Sequence, residues 1–349
     1  MGPVTRRSAS AALLLLVLLA LLAGCERPRA PTLEQAEWAE FKQRFVRDGR
    51  VIDTGNEGIS HSEGQGYGML LAVAADDRDG FESMREWTFS TLQREDALLR
   101  WRYTPCSAAD ASCVSDDNNA SDGDLLVAWA LLRAHETWDR HLYRAQAQRI
   151  LDAVEEQLVI QAQGYTLLLP GAEGFRHGDA LTLNLSYWIF PALQAFAAQR
   201  PDGPWQALID SGLRLIDAAR FGEARLPPDW LELDAKGLRP SPRFPARYGY
   251  DAVRLPLYMH WAGLSPADDW QAFTALWQRD PVPAWVDLDN NSQAEYAWSA
   301  GMAAVASFIA PPSSGLAEKA ARLAKDEPKD YYSHSLLLLT RLAAAERPQ

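Results

Sequence analysis

The sequence predicts an all-α fold, an (α/α)6 barrel of six inner and six outer helices. Three observations predict it. Twelve segments carry helical periodicity, at roughly 32–47, 63–76, 79–94, 122–138, 140–157, 184–198, 203–220, 248–262, 266–279, 293–309, 313–325 and 330–346. These segments alternate between amphipathic and apolar on every face. Some links between them are very short, such as Asp77-Arg78, which makes neighbouring helices antiparallel.

The odd-numbered segments are the amphipathic ones. In 140–157 the apolar residues Leu142, Ile150 and Val154 are interleaved with Arg and Glu, and Leu158 follows. The even-numbered segments include Leu125-Leu126-Val127-Ala128-Trp129-Ala130-Leu131-Leu132 and Ala303-Ala304-Val305-Ala306. A helix that is apolar all round is buried, so inner and outer helices alternate and all inner helices run one way. Their N-termini then share one end of the barrel. That end receives Glu63, Asp122, Asp124, Asn184, Ser186, Tyr187, Tyr250, Asp251, Gln293, Glu295, Asp330, Tyr331 and Tyr332. The irregular segments 95–121, 158–183 and 221–247 enter the same end. Helix capping accounts for Asp330, but it does not predict aromatic residues beside the acids. A site is expected there, under the long loops. No region carries several strands of period two, although 164–169 reads as part of a hairpin.

The N-terminus reads as a targeting segment. Arg6 and Arg7 precede an unbroken apolar run at 11–23, shorter than the ~20 residues that span a bilayer and suited to a signal peptide. Leu22-Ala23-Gly24-Cys25 resembles a bacterial lipobox, in which the Cys is acylated and becomes the mature N-terminus. Glu26, not Asp, follows it, which points to the outer membrane. The organisation expected is a signal peptide at 1–24, a tether at 25–31 and a single catalytic domain at 32–349. The two remaining cysteines, Cys106 and Cys113, sit close together in a Ser/Ala/Asp-rich loop. An exported protein favours a disulfide between them, and no His/Cys cluster nearby suggests a metal.

The formal net charge of −12 argues against nucleic acid, whose binding rests on neutralising phosphates. The 13 Trp fit either core filling or stacking on the apolar face of a pyranose.

Three segments offer carboxyl groups for acid–base chemistry. Glu63 opens Ser62-Glu63-Gly64-Gln65-Gly66-Tyr67-Gly68-Met69, a helix start with three glycines. Each Gly there costs about 1 kcal/mol against Ala, so something must approach the backbone closely. Ala120-Ser121-Asp122-Gly123-Asp124 begins the second inner helix. Asp116-Asp117-Asn118-Asn119 just before it does not have EF-hand spacing and reads as a solvated acidic loop. Tyr248-Gly249-Tyr250-Asp251-Ala252-Val253-Arg254-Leu255-Pro256 places Asp251 and Arg254 one helical turn apart, where they can pair. Glycoside cleavage needs two such carboxyls, one protonated and one ionised.

Together these segments resemble glycoside hydrolase family 8, and most closely the bacterial endoglucanases that accompany cellulose synthesis. Gly49-Arg50-Val51-Ile52-Asp53 is similar to the opening of that subgroup. Ala120-Ser121-Asp122-Gly123-Asp124 through Trp138 resembles the family signature, with Val127 where Ile or Met is usual. Asn184-Leu185-Ser186-Tyr187 resembles Asn-Pro-Ser-Tyr, and Pro227-Pro228-Asp229-Trp230 resembles Ser-Pro-Asp-Trp. The resemblance spans roughly 35–345. It implies a barrel, an inverting mechanism, and neither cofactor nor metal. Glu63 would be the general acid, with a raised pKa, and Asp251 the general base, ionised with help from Arg254. Asp122 would hold the sugar at the cleavage subsite. Tyr67, Trp101, Asn184, Tyr187, Tyr250 and Arg254 would contact sugar. Inversion asks for acid and base carboxyls about 6.5–9.5 Å apart. The implied substrate is a β-1,4-glucan, with chitosan, xylan and mixed-linkage glucan as alternatives. A non-catalytic glycan-binding lipoprotein is the alternative of another class. The partners implied are the polysaccharide, the membrane through a lipid anchor, and a cellulose synthesis and export complex.

Overall fold

The computed structural model describes residues 31–106, 113–114, 116–266, 268, 270–312, 314–326, 328 and 330–347. The expected signal segment, Cys25 and the tether through residue 30 lie outside the described residues. From Thr32 onward the chain is one unit. Its helices are α1 (Gln35–Phe45), α2 (Ser62–Ala74), α3 (Arg78–Thr91), α4 (Ser121–Trp138), α5 (His141–Gln157), α6 (Phe190–Gln199), α7 (Trp205–Ala218), α8 (Arg254–Trp261), α9 (Gln271–Trp277), α10 (Ala300–Ile309), α11 (Gly315–Leu323) and α12 (Tyr331–Glu346). None of the described helices is long and apolar enough to cross a membrane.

The even helices form a closed ring. Helix α2 packs on α4, α4 on α6, α6 on α8, α8 on α10, α10 on α12, and α12 back on α2. Their apolar runs are the core: 125–132 is buried throughout, as are Leu336, Leu338 and Leu339. The odd helices cover the ring with one face each. Helix α1 buries Trp38, Phe41 and Phe45, and α3 buries Phe81, Met84 and Thr88. Seven Trp residues (38, 129, 188, 205, 261, 270 and 277) are buried, so most of the unusual Trp content fills the core.

The glycines explain how closely two inner helices meet. A Cβ on Gly66 would run into Leu126, and one on Gly123 would meet Ser62 and lie 2.8 Å from the Glu63 nitrogen. The close approach expected near Glu63 is therefore made by α4.

Several inner helices start later than the periodicity suggests. Helix α6 begins at Phe190, with Pro191 in its first turn, and α8 begins at Arg254, just before Pro256. Proline fits a first helical turn, where its missing N–H has no partner to lose. Asn184, Tyr187, Tyr250 and Asp251 thus stand in the turns before these helices. Helix α10 begins at Ala300, capped by Ser299, so Gln293 and Glu295 lie in the preceding loop.

The long segments also fold into short strands that periodicity does not reveal: β1 (Val46–Arg47), β2 (Arg50–Val51), β3 (Ser60–His61), β4 (Arg102–Tyr103), β5 (Val159–Ala162), β6 (Tyr165–Leu168), β7 (Arg176–His177), β8 (Ala180–Leu183), β9 (Leu231–Asp234), β10 (Gly237–Pro240), β11 (Arg247–Tyr248) and β12 (Val286–Asp287). At two to four residues they are too short to display alternation. Strands β7 to β10 form an antiparallel sheet in the order β10-β9-β8-β7. Leu183 pairs with Leu231, which brings Asn184, after β8, beside Asp229 and Trp230, before β9.

Cys106 and Cys113 are joined by a disulfide, with Cα atoms 5.3 Å apart. Asp116-Asp117-Asn118-Asn119 is more than a solvated loop. Asp117 pairs with Arg100 at 2.6 Å. Asn119 is buried, and its Oδ1 accepts the Ala172 N–H at 2.8 Å.

Candidate active site

Glu63 is the second residue of α2. The helix starts there because His61, in extended backbone, caps it: His61 Nδ1 accepts the Gly64 N–H at 3.0 Å. Strand β3 leads into this turn, and the Ser62 N–H donates to the Trp101 carbonyl at 3.0 Å. The Glu63 oxygens have different surroundings. Oε1 accepts the Tyr67 hydroxyl at 3.0 Å and touches Arg254 Nη1. Oε2 lies 3.7 Å from His61 Nδ1.

Asp122, in the first turn of α4, is buried. Its Oδ1 accepts the Gly123 N–H at 2.8 Å and its Oδ2 lies 3.7 Å from Arg254 Nη1. Burial pushes its carboxyl up to about 7, against the pull of the Gly123 N–H and of His61. Asp124 has a different task. It is fully buried, accepting the Leu99 N–H at 2.8 Å and the Asn119 amide at 2.7 Å, so it ties the preceding loop to the helix. Burial raises it to about 7 as well.

Asp251 hangs on the turn between β11 and α8, and that turn is organised by Asp229. Asp229 Oδ1 accepts the N–H groups of Gly249 (2.9 Å), Asp251 (3.2 Å) and Ala252 (2.9 Å), while Oδ2 accepts Arg247 Nε at 3.2 Å. The Asp251 carboxyl is pushed well above the usual range, first by burial and then by the charges of Asp229 and Asp122; Asn184 and Arg247 pull it down.

Arg254 joins the three motifs. It is 3% exposed, which rules out a plain surface ion pair. Nη1 meets Glu63, Asp122 and the Tyr67 hydroxyl (3.3 Å); Nη2 meets Asp251 Oδ1 at 2.6 Å and Ser186 Oγ at 3.0 Å. Ser186 Oγ in turn donates to Asn184 Oδ1 at 2.6 Å. One guanidinium thus faces three carboxyls. Full ionisation would leave two uncompensated negative charges in a largely buried cluster, so the site favours keeping a proton.

The aromatic residues divide. Tyr67 is fully buried, its hydroxyl held between Glu63 and the Tyr258 hydroxyl (2.7 Å), so it backs Glu63 instead of facing the cleft. Tyr187 is half-buried, edge-on to Trp230, whose ring stacks between Phe175 and Phe244. Trp101 is half-buried, its Nε1 donating to Asp116 at 2.7 Å. The Tyr250 hydroxyl lies 2.9 Å from that of Tyr296, and the Tyr250 carbonyl accepts from Tyr332. A cleft of about 780 Å³ runs from Glu63 and His61 past Tyr250 to Tyr296 and Trp298. Among the described residues no His/Cys/Asp/Glu group is arranged to hold a metal ion.

Sequence reasoning passed over His61, which adjoins the quoted Ser62. It placed Ser186 at the barrel end and Asp229 in a quoted motif, but gave neither a role.

The family model described as "Glycosyl hydrolases family 8" matches residues 4–346. A probable endoglucanase of Novacetimonas hansenii is 40% identical over 324 residues, covering 91% of this chain and 92% of that protein. An endoglucanase of Cellulomonas uda is 40% identical over 279 residues, covering 78% of this chain and 76% of that protein. Among solved structures, the endo-beta-1,4-glucanase CMCax from Acetobacter xylinum aligns with a TM-score of 0.83 at 40% identity, covering 91% of this chain and 99% of that one.

Proposed function

The chain belongs to glycosyl hydrolase family 8, and from that premise we propose that Glu63 is the general acid and Asp251 the general base of an inverting endo-β-1,4-glucanase. The observation that carries the assignment is Arg254, whose two terminal nitrogens hold Glu63 and Asp251 on opposite arms of one planar group. Glu63 protonates the departing glycosidic oxygen, and Asp251 takes a proton from the attacking water on the other face of the sugar. The upward push on Asp251 makes it a stronger base, while the hydrogen bond from Arg254 favours its ionised form. Asp122 holds the sugar being cleaved, and Tyr187, Tyr250 and Trp101 contact the chain; Asn184, fully buried, acts through Ser186 on Arg254 instead of touching sugar. Tyr67 acts through Glu63.

Two variants test the roles. Glu63→Gln lowers kcat on polysaccharide by at least ~10²-fold, and by less on a substrate whose leaving group needs no proton. Asp251→Asn fails on both. Proton NMR of the first product shows the α-anomer from a β-linked chain; a β-anomer would make one of the acids a nucleophile.

The same reading includes an exported lipoprotein facing the periplasm, anchored in the outer membrane through acylated Cys25 and placed beside a cellulose synthesis and export complex. Leu22-Ala23-Gly24-Cys25 and the subgroup-like opening Gly49-Arg50-Val51-Ile52-Asp53 support it. Two or three acyl chains suffice for stable anchoring. Cys25→Ser releases the protein from membranes; wild-type protein recovered soluble after cleavage elsewhere would end this part of the proposal.

A further inference from the structure

The cleft that holds Glu63 extends to Tyr296 and Trp298, and the acid–base step uses neither. Both belong to the segment 296–298, which its main chain fixes against 282–284. The Ala284 N–H donates to the Tyr296 carbonyl at 3.2 Å, and the Trp298 N–H donates to the Val282 carbonyl at 3.0 Å. Pro283 and Ala297 form the antiparallel bridge between these two bonds. Residues on either side of a bridged position fall on one face, and Tyr296 and Trp298 both line the cleft.

Tyr296 is 56% exposed, one of two strongly exposed large apolar side chains among the described residues. Its ring is nevertheless held in place, because its hydroxyl lies 2.9 Å from that of Tyr250. An exposed, pinned ring suits the apolar face of a pyranose, whose polar rim stays free to hydrogen-bond. Asp53, Asn56 and Asp330 line the same arm of the cleft and offer acceptors and an amide to that rim. Glu63 lines this arm, whereas Asp122, Tyr187 and Trp101 do not. Asp122 marks the sugar being cleaved, so the arm receives the part of the chain that departs with the Glu63 proton. We propose that Tyr296 and Trp298 form a stacking subsite for the leaving part of the glucan and thereby set where the chain is cut. The inference rests on the reading of Glu63 as the acid and Asp122 as the holder of the cleaved sugar.

Tyr296→Ala tests this without endangering the fold, because the ring is exposed and surface substitutions change stability little. On polysaccharide its KM rises about five- to tenfold at nearly unchanged kcat, the signature of lost uniform binding. The cut in cellohexaose moves, because the leaving part has lost its platform. On a cello-oligosaccharide with a dinitrophenolate leaving group every sugar lies on the Asp122 side, so Tyr296→Ala matches wild type. Tyr296→Phe keeps the ring, and with it the wild-type KM and cleavage point.

An unchanged KM with an unmoved cleavage point in Tyr296→Ala would overturn the inference. So would an equal loss on the aryl substrate, or Tyr296→Phe as damaged as Tyr296→Ala. Either result would make the Tyr296 hydroxyl a brace for Tyr250 and the turn that carries Asp251. Glu63→Gln run alongside separates the failures. If it loses equally on both substrates, the acid reading falls, and the side assigned to the platform falls with it. If it keeps the acid pattern while Tyr296→Ala is silent, only the platform falls.

Discussion

Asp229 offers a test of how Asp251, the proposed base, is held. Asp229→Ala removes the acceptor of three backbone N–H groups, of which those of Gly249 and Ala252 are buried. An orphaned buried donor costs about 1–3 kcal/mol, so the two buried ones together cost the variant about 2–6 kcal/mol, out of the ~5–15 kcal/mol typical of a domain. Its Tm falls on the order of 10 °C. Asp229→Asn is the more informative change. Its amide oxygen still serves the three N–H groups, but its NH2 group meets Arg247 Nε donor to donor, at about 1–2 kcal/mol. Asp229 is the strongest charge pushing the Asp251 carboxyl up. Neutralising it lets Asp251 ionise at lower pH, so the acid limb of kcat/KM moves to lower pH while the maximum drops, because the base is weaker. Thermal melting and a reducing-sugar assay on carboxymethylcellulose across pH measure both. Asp229→Asn with an unmoved acid limb, or Asp229→Ala with unchanged Tm and kcat, would refute the reasoning.

Asp124 links stability to pH. Its folded pKa of about 7 lies above its ordinary 3.8, so its contribution is present below the ordinary value and lost as pH rises toward and through 7. The loss is on the order of 4 kcal/mol, and denaturant melts of Asp124→Asn show a shallower fall with pH between 4 and 7 than wild type; an identical slope would exclude the effect. Gly123→Ala forces α2 and α4 apart at Ser62 and Glu63, costing about 1–3 kcal/mol or more and about 10²-fold in kcat. Gly315→Ala, where a Cβ meets open space, is its control and leaves kcat alone. Equal behaviour of the two glycine variants would discount the close helix contact.

Some of this molecule was legible before its fold was known. The runs at 125–132 and 303–306 could only be buried helices, and six such runs alternating with amphipathic ones leave few arrangements besides a closed double ring. Glu63, Asp122 and Asp251 stood out because glycines or aromatics surround them. Other features depend on contacts that no local pattern carries. The four-residue strands β8 and β9 are paired across 48 residues of chain by Leu183 and Leu231, and that pairing is what makes Asp229 a neighbour of Asn184. Tyr67 reads as an aromatic beside an acid; its burial follows from Tyr258, on a different helix. The late starts of α6 and α8 were visible in Pro191 and Pro256, where local proline chemistry overrides the apolar period.

The two sides of the cleft, carrying the proposed acid and the proposed base, are built from unlike materials. Glu63 and Asp122 ride on two helices whose main chains touch through glycine, so their spacing is set by backbone contact that side-chain exchange cannot loosen. Asp251 hangs instead from a turn gripped by one carboxylate and closed against β12. The enzyme is a vice with one fixed jaw and one adjustable jaw. Changes that retune the room for the attacking water, whether by drift or by design, therefore have an accessible route through 229 and 247–252, and almost none through α2 and α4.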